Sequence, residues 1–167
     1  GYKEAGAYAG GKVIQEIGGG ICQVSSTLYN AVLYADLEIV ERSNHYFETS
    51  YVTAGRDATV SWGTVDFKFK NNRTYPIKIE AVAKNGINKI SILGIKEEKE
   101  YEIVIQSKVT SIIEQEIKYE NDYSIPYEEE KVEQQGHNGC TSKTYIIKNL
   151  NGATVSIEEI TSDYYHA

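Results

Sequence analysis

"IGGGICQVSSTLYNA", Ile17 to Ala31, sets three consecutive glycines and the first of two cysteines directly before a segment of helical period. Val24, Leu28, Ala31 and Ala35 recur at three- and four-residue intervals, and neither Gly nor Pro interrupts the run from Ile21 to Asp36. This predicts one amphipathic helix with Cys22 in its first turn. Unpaired N–H groups and the positive end of the helix dipole gather there, and both favour a thiolate. Cys22 therefore has two readings. It is a nucleophile presented by a helix start, or a small buried residue that the glycines admit into a tight corner.

Outward from this helix the pattern turns to strands. An extended piece is expected around Lys12–Ile17 before it, and "LEIVER" (37–42) after it. "HYFETSYV" (45–52), "ATVSW" (58–62) and "VDFKFK" (65–70) carry alternating, β-branched or aromatic residues, with "TAGRD" and "NNRTYP" as turns. "IKIEAVA" and "NKISILG" flank Asn85–Gly86, a strong hairpin signal. One helix on an antiparallel sheet of about five strands is the expected first module. Residues 99–121 alternate over a long span, and two further strands are expected around the turns "GHNG" and "LNG". The fold class is thus α+β, with a small all-β module after a charged connector near "GIKEEKE".

Charge divides the chain at the same place. Residues 1–96 hold 11 Lys/Arg and 9 Asp/Glu (net +2), while residues 97–167 hold 6 and 15 (net −9). Two modules with different surfaces are expected, and no basic stripe is available for nucleic acid. Hydrophobic residues make up 41% and charged residues 25%, a globular composition. No apolar run is long enough for a membrane span, so membrane attachment is expected only through an anchor outside this segment. Cys22 and Cys140 lie in different modules and are read as unpaired. "HNGC", His137 to Cys140, has the spacing of half a zinc site but no second pair nearby, so neither metal nor cofactor is expected.

The ordered motifs "GGGICQVSSTLYNAVLYADLEIVER", His45 and "SYVTAGRDATVSWGTVDFKFKNNRTYPIKI" closely resemble the VanW family, named from a protein of vancomycin-resistance gene clusters. The resemblance runs from Gly1 to about Gly94. "YSIPYEEEKVEQQGHNGCTSKTYIIKNLNG" resembles the five-glycine domain that follows VanW domains in Gram-positive envelope proteins. The expected division is 1–96, VanW-like, and 97–167, a five-glycine-type domain or a truncated copy of one. The resemblance implies an extracellular or cell-surface setting, anchored by an N-terminal segment outside this sequence. It also implies a partner such as peptidoglycan or an N-acetylglucosamine-containing polymer, in a role accessory to glycopeptide resistance or envelope maintenance. It implies no mechanism.

Chemistry must come from the residues. His45 is the one histidine of the first module, so Cys22 and His45 form the candidate pair for nucleophilic catalysis. Asp57 is the candidate third member, with Asp66 as the alternative. Gln23, or a backbone N–H beside Cys22, is the candidate oxyanion donor. Cys at a helix start, then His, then an orienting polar residue is the papain-like or transglutaminase-like order, and the reaction class would be acyl transfer through a thioester. The non-catalytic reading, a peptidoglycan-binding module with a structural Cys22, is the favoured one on the sequence, and the acyl-transfer enzyme is its alternative. Arg56 and Trp62 are candidate ligand contacts. Asp57 as a turn-stabilising side chain and Trp62 as a core residue at the end of a strand are the alternatives.

Overall fold

The computed structural model describes residues 3–9, 12–127, 129–132 and 135–167. The helix, α1, spans Ile21–Tyr34. It begins where the glycines permit: Gly18 has φ +89° and its carbonyl accepts the Ile21 N–H at 2.9 Å. It ends in a Schellman arrangement, with Asp36 N–H donating to Leu33 O and Leu37 N–H to Val32 O. Asp36 takes the left-handed position (φ +53°) usually given to glycine, and its carboxylate pairs with Lys148 at 2.5 Å. The period was legible but not its phase. The buried face is Ser26, Tyr29, Val32 and Leu33, whereas Val24 is 48% exposed. The helix touches β3, β6 and β7 of three different sheets, so Leu28, Ala31 and Ala35 are only half-buried at the margins.

The strands are antiparallel throughout. β1 (Glu4–Ala9) pairs β2 (Lys12–Ile17), β3 (Glu38–Glu41) pairs β4 (Lys68–Lys70), and β5 (Lys78–Lys84) pairs β6 (Ile87–Leu93). β7 (Glu102–Ile113), β8 (Gly139–Leu150) and β9 (Ala153–Tyr165) form a three-stranded sheet with β8 central. Two hairpins turn on Asn-Gly pairs with both residues at positive φ, Asn85–Gly86 and Asn151–Gly152. Such a turn matches the twist of the strands it joins. The expected single sheet of five strands is not formed. The described strands before Gly94 pair two by two.

The reason lies in residues 43–62, where two strands were expected and none forms. Their backbone groups are claimed by side chains. His45 N–H donates to Asp57, Gly55 N–H to the Tyr165 hydroxyl, Ala58 N–H to Ser26 Oγ and Val60 N–H to Cys22 Sγ. The carbonyls of Gly55, Arg56 and Asp57 accept from Thr144, Asn30 and Arg42. A ladder is one way of satisfying buried backbone polar groups, and here tertiary partners supply another. Trp62 is not core: it is fully exposed, on the tight turn Ser61–Val65. The long alternating span 99–121 is strand only as far as Ile113.

Hydrophobic burial crosses the charge division. Tyr29, Leu33 and Ala58 cluster with Ile146 of β8, and Ala54 clusters with Cys140 and Tyr165. Along β8 every second side chain from Cys140 to Ile146 is buried, the pattern of a sheet with one covered face. The irregular segment is the cover. Gly55 has φ +88°, and a Cβ there would lie 2.2 Å from Thr144 Oγ1. Gly55→Ala is therefore expected to lower unfolding stability by more than about 1 kcal/mol. Gly86→Ala, also at positive φ but in open space, is the comparison and should cost less. Urea unfolding of the two variants checks the order, and equal losses would contradict the packing described.

Candidate active site

α1, the chain leaving β3, and the irregular segment converge on one buried carboxylate. Asp57 is 1% exposed. Its Oδ2 accepts the backbone N–H of His45 at 2.7 Å and lies 2.6 Å from His45 Nδ1. Its Oδ1 accepts from the Tyr165 hydroxyl at 2.5 Å and from Arg42 Nη2 at 3.0 Å. A buried carboxylate with this many donors stays ionised, so His45 Nδ1 carries its proton toward Asp57. The other ring nitrogen, Nε2, lies 3.2 Å from the Tyr51 hydroxyl. Cys22 and this imidazole act on each other's titration.

The sulfur sits in the first turn of α1, half-buried against the irregular segment. As a thiol it donates to Val60 O at 3.4 Å. As a thiolate it accepts from Val60 N–H at 3.5 Å and Thr59 Oγ1 at 3.6 Å. Burial pushes the Cys22 pKa up, but the hydrogen bonding and charge of His45, with the hydrogen bonds of Val60 and Thr59, outweigh it and bring the group down to about 7. For His45, burial acts to lower the pKa, and Asp57 and Cys22 overcome it and hold the imidazole up at about 9. The two groups titrate as a pair. Between those values the thiolate–imidazolium form is favoured. Asp57 is held below the usual carboxylate range: burial opposes ionisation, and His45, Tyr165 and Arg42 outweigh it.

Cys22, His45 and Asp57 are thus brought together. Asp66 is not with them: it is exposed, accepts the Phe67 N–H and lies 3.8 Å from Lys68. Gln23 has an exposed side chain, and its carbonyl accepts from Thr27. Its backbone N–H belongs to the helix start, whose first donors have no partner within the helix. Arg56 turns away along α1, donating to Asn30 at 2.5 Å and lying over the Tyr34 ring. Ser25 and Ser26 donate to Ala58 O and fasten the segment to the helix. Trp62 is two residues beyond Val60, which touches the sulfur.

Four contributors escaped the sequence reading: Arg42, Tyr51, Asp163 and Tyr165. Arg42 bridges the two carboxylates, bonding Asp163 at 2.5 Å as well as Asp57. "ERSNH" was a local signal for it, since a cation three residues before a histidine leaves the same strand. Tyr165 and Asp163 lie over a hundred residues from Asp57, and no local pattern announces them.

The family described as VanW like protein matches residues 1–93. The chain belongs to this family. Residues 104–167 match the G5 domain. A Bacillus subtilis (strain 168) protein named uncharacterized protein YoaR is 54% identical over 81 residues, covering 48% of this chain and 27% of the relative. The vancomycin B-type resistance protein VanW of Enterococcus faecalis is 37% identical over 83 residues, covering 46% of this chain and 30% of the relative. The chain thus spans less than a third of the length of these curated relatives. No solved structure matches it. Among the described residues, no helix is long and apolar enough to cross a membrane.

The electrostatics give a direct expectation for the pH dependence of Cys22 alkylation by iodoacetamide. The rate should rise through a midpoint near 7, set by the lowered thiol pKa. In Asp57→Asn the charge that sustains the imidazolium is gone, so the midpoint moves up toward an ordinary thiol value. Labelling at pH 7 should then fall roughly tenfold or more. Peptide mapping separates Cys22 from Cys140, whose thiol is pushed up to about 11 by burial and by Glu48. A wild-type midpoint above 8.5 would contradict this account.

Proposed function

We propose that this chain is a segment of a cell-envelope protein carrying a cysteine-dependent acyl-transfer centre. Cys22 is the nucleophile, His45 the acid and base, and Asp57 the residue that orients the imidazole. The carrying observation is the 2.6 Å contact of buried Asp57 with His45 Nδ1, together with the lowering of the Cys22 pKa by the same imidazole. The Cys22 thiolate attacks an amide carbonyl and forms the C–S bond. His45 gives its proton to the departing nitrogen as the C–N bond breaks. Water or an amine then attacks the thioester, His45 takes that proton, and the thiolate leaves. The N–H groups of the first turn, that of Gln23 among them, are the proposed oxyanion donors.

The substrate class proposed is an amide of a peptidoglycan stem peptide or of a protein side chain. Support for the envelope setting is the family pairing of a VanW-like region with a G5 domain. Trp62, exposed beside the Val60 contact, is the proposed platform for a sugar or peptide face. The helix-on-sheet, papain- or transglutaminase-like architecture is proposed on the order of the three residues and rests on analogy of arrangement. The second reading is non-catalytic binding of peptidoglycan or another N-acetylglucosamine-containing polymer, favoured by the G5 match; Arg56 would then be a ligand contact only by leaving Asn30.

Turnover is tested on purified peptidoglycan fragments with water or a primary amine as acceptor. Cys22→Ala should abolish it, and His45→Ala should lower the rate by about a hundredfold or more. Asp66→Asn should leave it unchanged. Product formation that persists in Cys22→Ala removes the enzyme reading. Retention on insoluble peptidoglycan by wild type and Cys22→Ala alike, with turnover by neither, selects the binding reading.

A further inference from the structure

We infer that the G5 strand β9 supplies a positioning residue to the VanW-like site: Tyr165 holds Asp57 in the orientation that serves His45. The inference rests on the acyl-transfer reading above and names a dependence that reading does not contain. Tyr165 is wholly buried, and its hydroxyl is doubly committed. It accepts the Gly55 N–H at 2.7 Å and donates to Asp57 Oδ1 at 2.5 Å. The first bond fixes the phenol, and the second uses that fixed donor to set the rotation of the carboxylate. Oδ2 is thereby left facing His45.

The rest of β9 and its neighbour act in the same direction. Asp163, two residues earlier on the same face, anchors the Arg42 guanidinium whose other arm reaches Asp57. Thr144 of β8 donates to Gly55 O and is itself 2.8 Å from Ser107 of β7. Beyond the irregular segment's own backbone, Asn44 donates to Tyr164 O and His166 N–H donates to Tyr46 O, so the stretch on either side of His45 is sutured to the end of β9. The charged and titratable groups that act on Asp57 come from the elements around it: Tyr29 on α1, Arg42 after β3 with its partner Asp163 on β9, His45 and Tyr51 in the segment, Cys140 on β8, and Tyr165 on β9. The G5 sheet is the back wall of the site.

Tyr165→Phe removes one oxygen and no charge, which makes its direction diagnostic. If Asp57 stayed in place, losing a donor would make it a stronger acceptor for His45, and the Cys22 midpoint would stay or fall. If Tyr165 positions Asp57, the carboxylate turns, the imidazolium loses support, and the midpoint rises. The experiment measures iodoacetamide labelling of Cys22 against pH in the full chain, with thermal melts run alongside. The expected result for Tyr165→Phe is an upward shift of about one pH unit, in the same sense as Asp57→Asn. Asp163→Asn, which keeps the side-chain shape, should shift the midpoint the same way by less and serves if Tyr165→Phe does not fold. An unchanged or lowered midpoint in the folded β9 variant, beside a raised one in Asp57→Asn, overturns the inference alone. An unmoved Asp57→Asn overturns the acyl-transfer reading, and this inference with it.

Discussion

A carboxylate taken out of water must be surrounded by donors or it will not remain charged. Asp57 meets that demand with a backbone N–H, an imidazole, a guanidinium and a phenol, drawn from the segment itself, the chain after β3 and β9. Much else follows from satisfying this one group. Arg42 must be buried with it and therefore needs a second carboxylate, which Asp163 provides. The segment must fold back so that residue 45 reaches residue 57, and this rules out the extended strands its composition suggests. Gly55 must pass close under Thr144 for its N–H to meet Tyr165.

The same demand explains why the two halves of the chain share their core. Each half taken alone leaves groups exposed that the other covers. The buried face of β8 is met by Ala54 and Ala58, small residues that let the segment lie close to the sheet. The charge division at residue 96 is real, but it describes the outer surfaces. The inner surfaces are joined by a carboxylate, a phenol and an ion pair, with aliphatic packing beside them.

Where local chemistry decides structure, the sequence was readable. Asn85–Gly86 and Asn151–Gly152 need left-handed backbone at both residues, and few other pairs supply it. The run from Ile21 admits a helix and little else. The VanW resemblance rested on many motifs in order and the five-glycine one on Gly136, Gly139 and Gly152 in one stretch, and both family models match. Where distant groups compete for the backbone, reading failed. Residues 45–52 and 58–62 have the β-branched and aromatic content of strands, yet N–H groups among them go to Asp57 and to side chains on α1. Trp62 ends a run that resembles a core strand, and the turn at Gly63 puts it in water. The choice between Asp57 and Asp66 could not be made from spacing, because burial separates them. Tyr165 was beyond reach in principle, since its partner lies 108 residues away.

The exposure of Trp62 has a practical side. It is the one tryptophan of the chain, and its indole is in full contact with water beside the backbone that touches Cys22. Its fluorescence in the folded protein should already resemble that of the free amino acid, so unfolding would move the emission little. Anything that covers the ring would take it out of water and shift the emission to the blue. The molecule therefore carries a single optical reporter, silent to denaturation and responsive to whatever covers the indole.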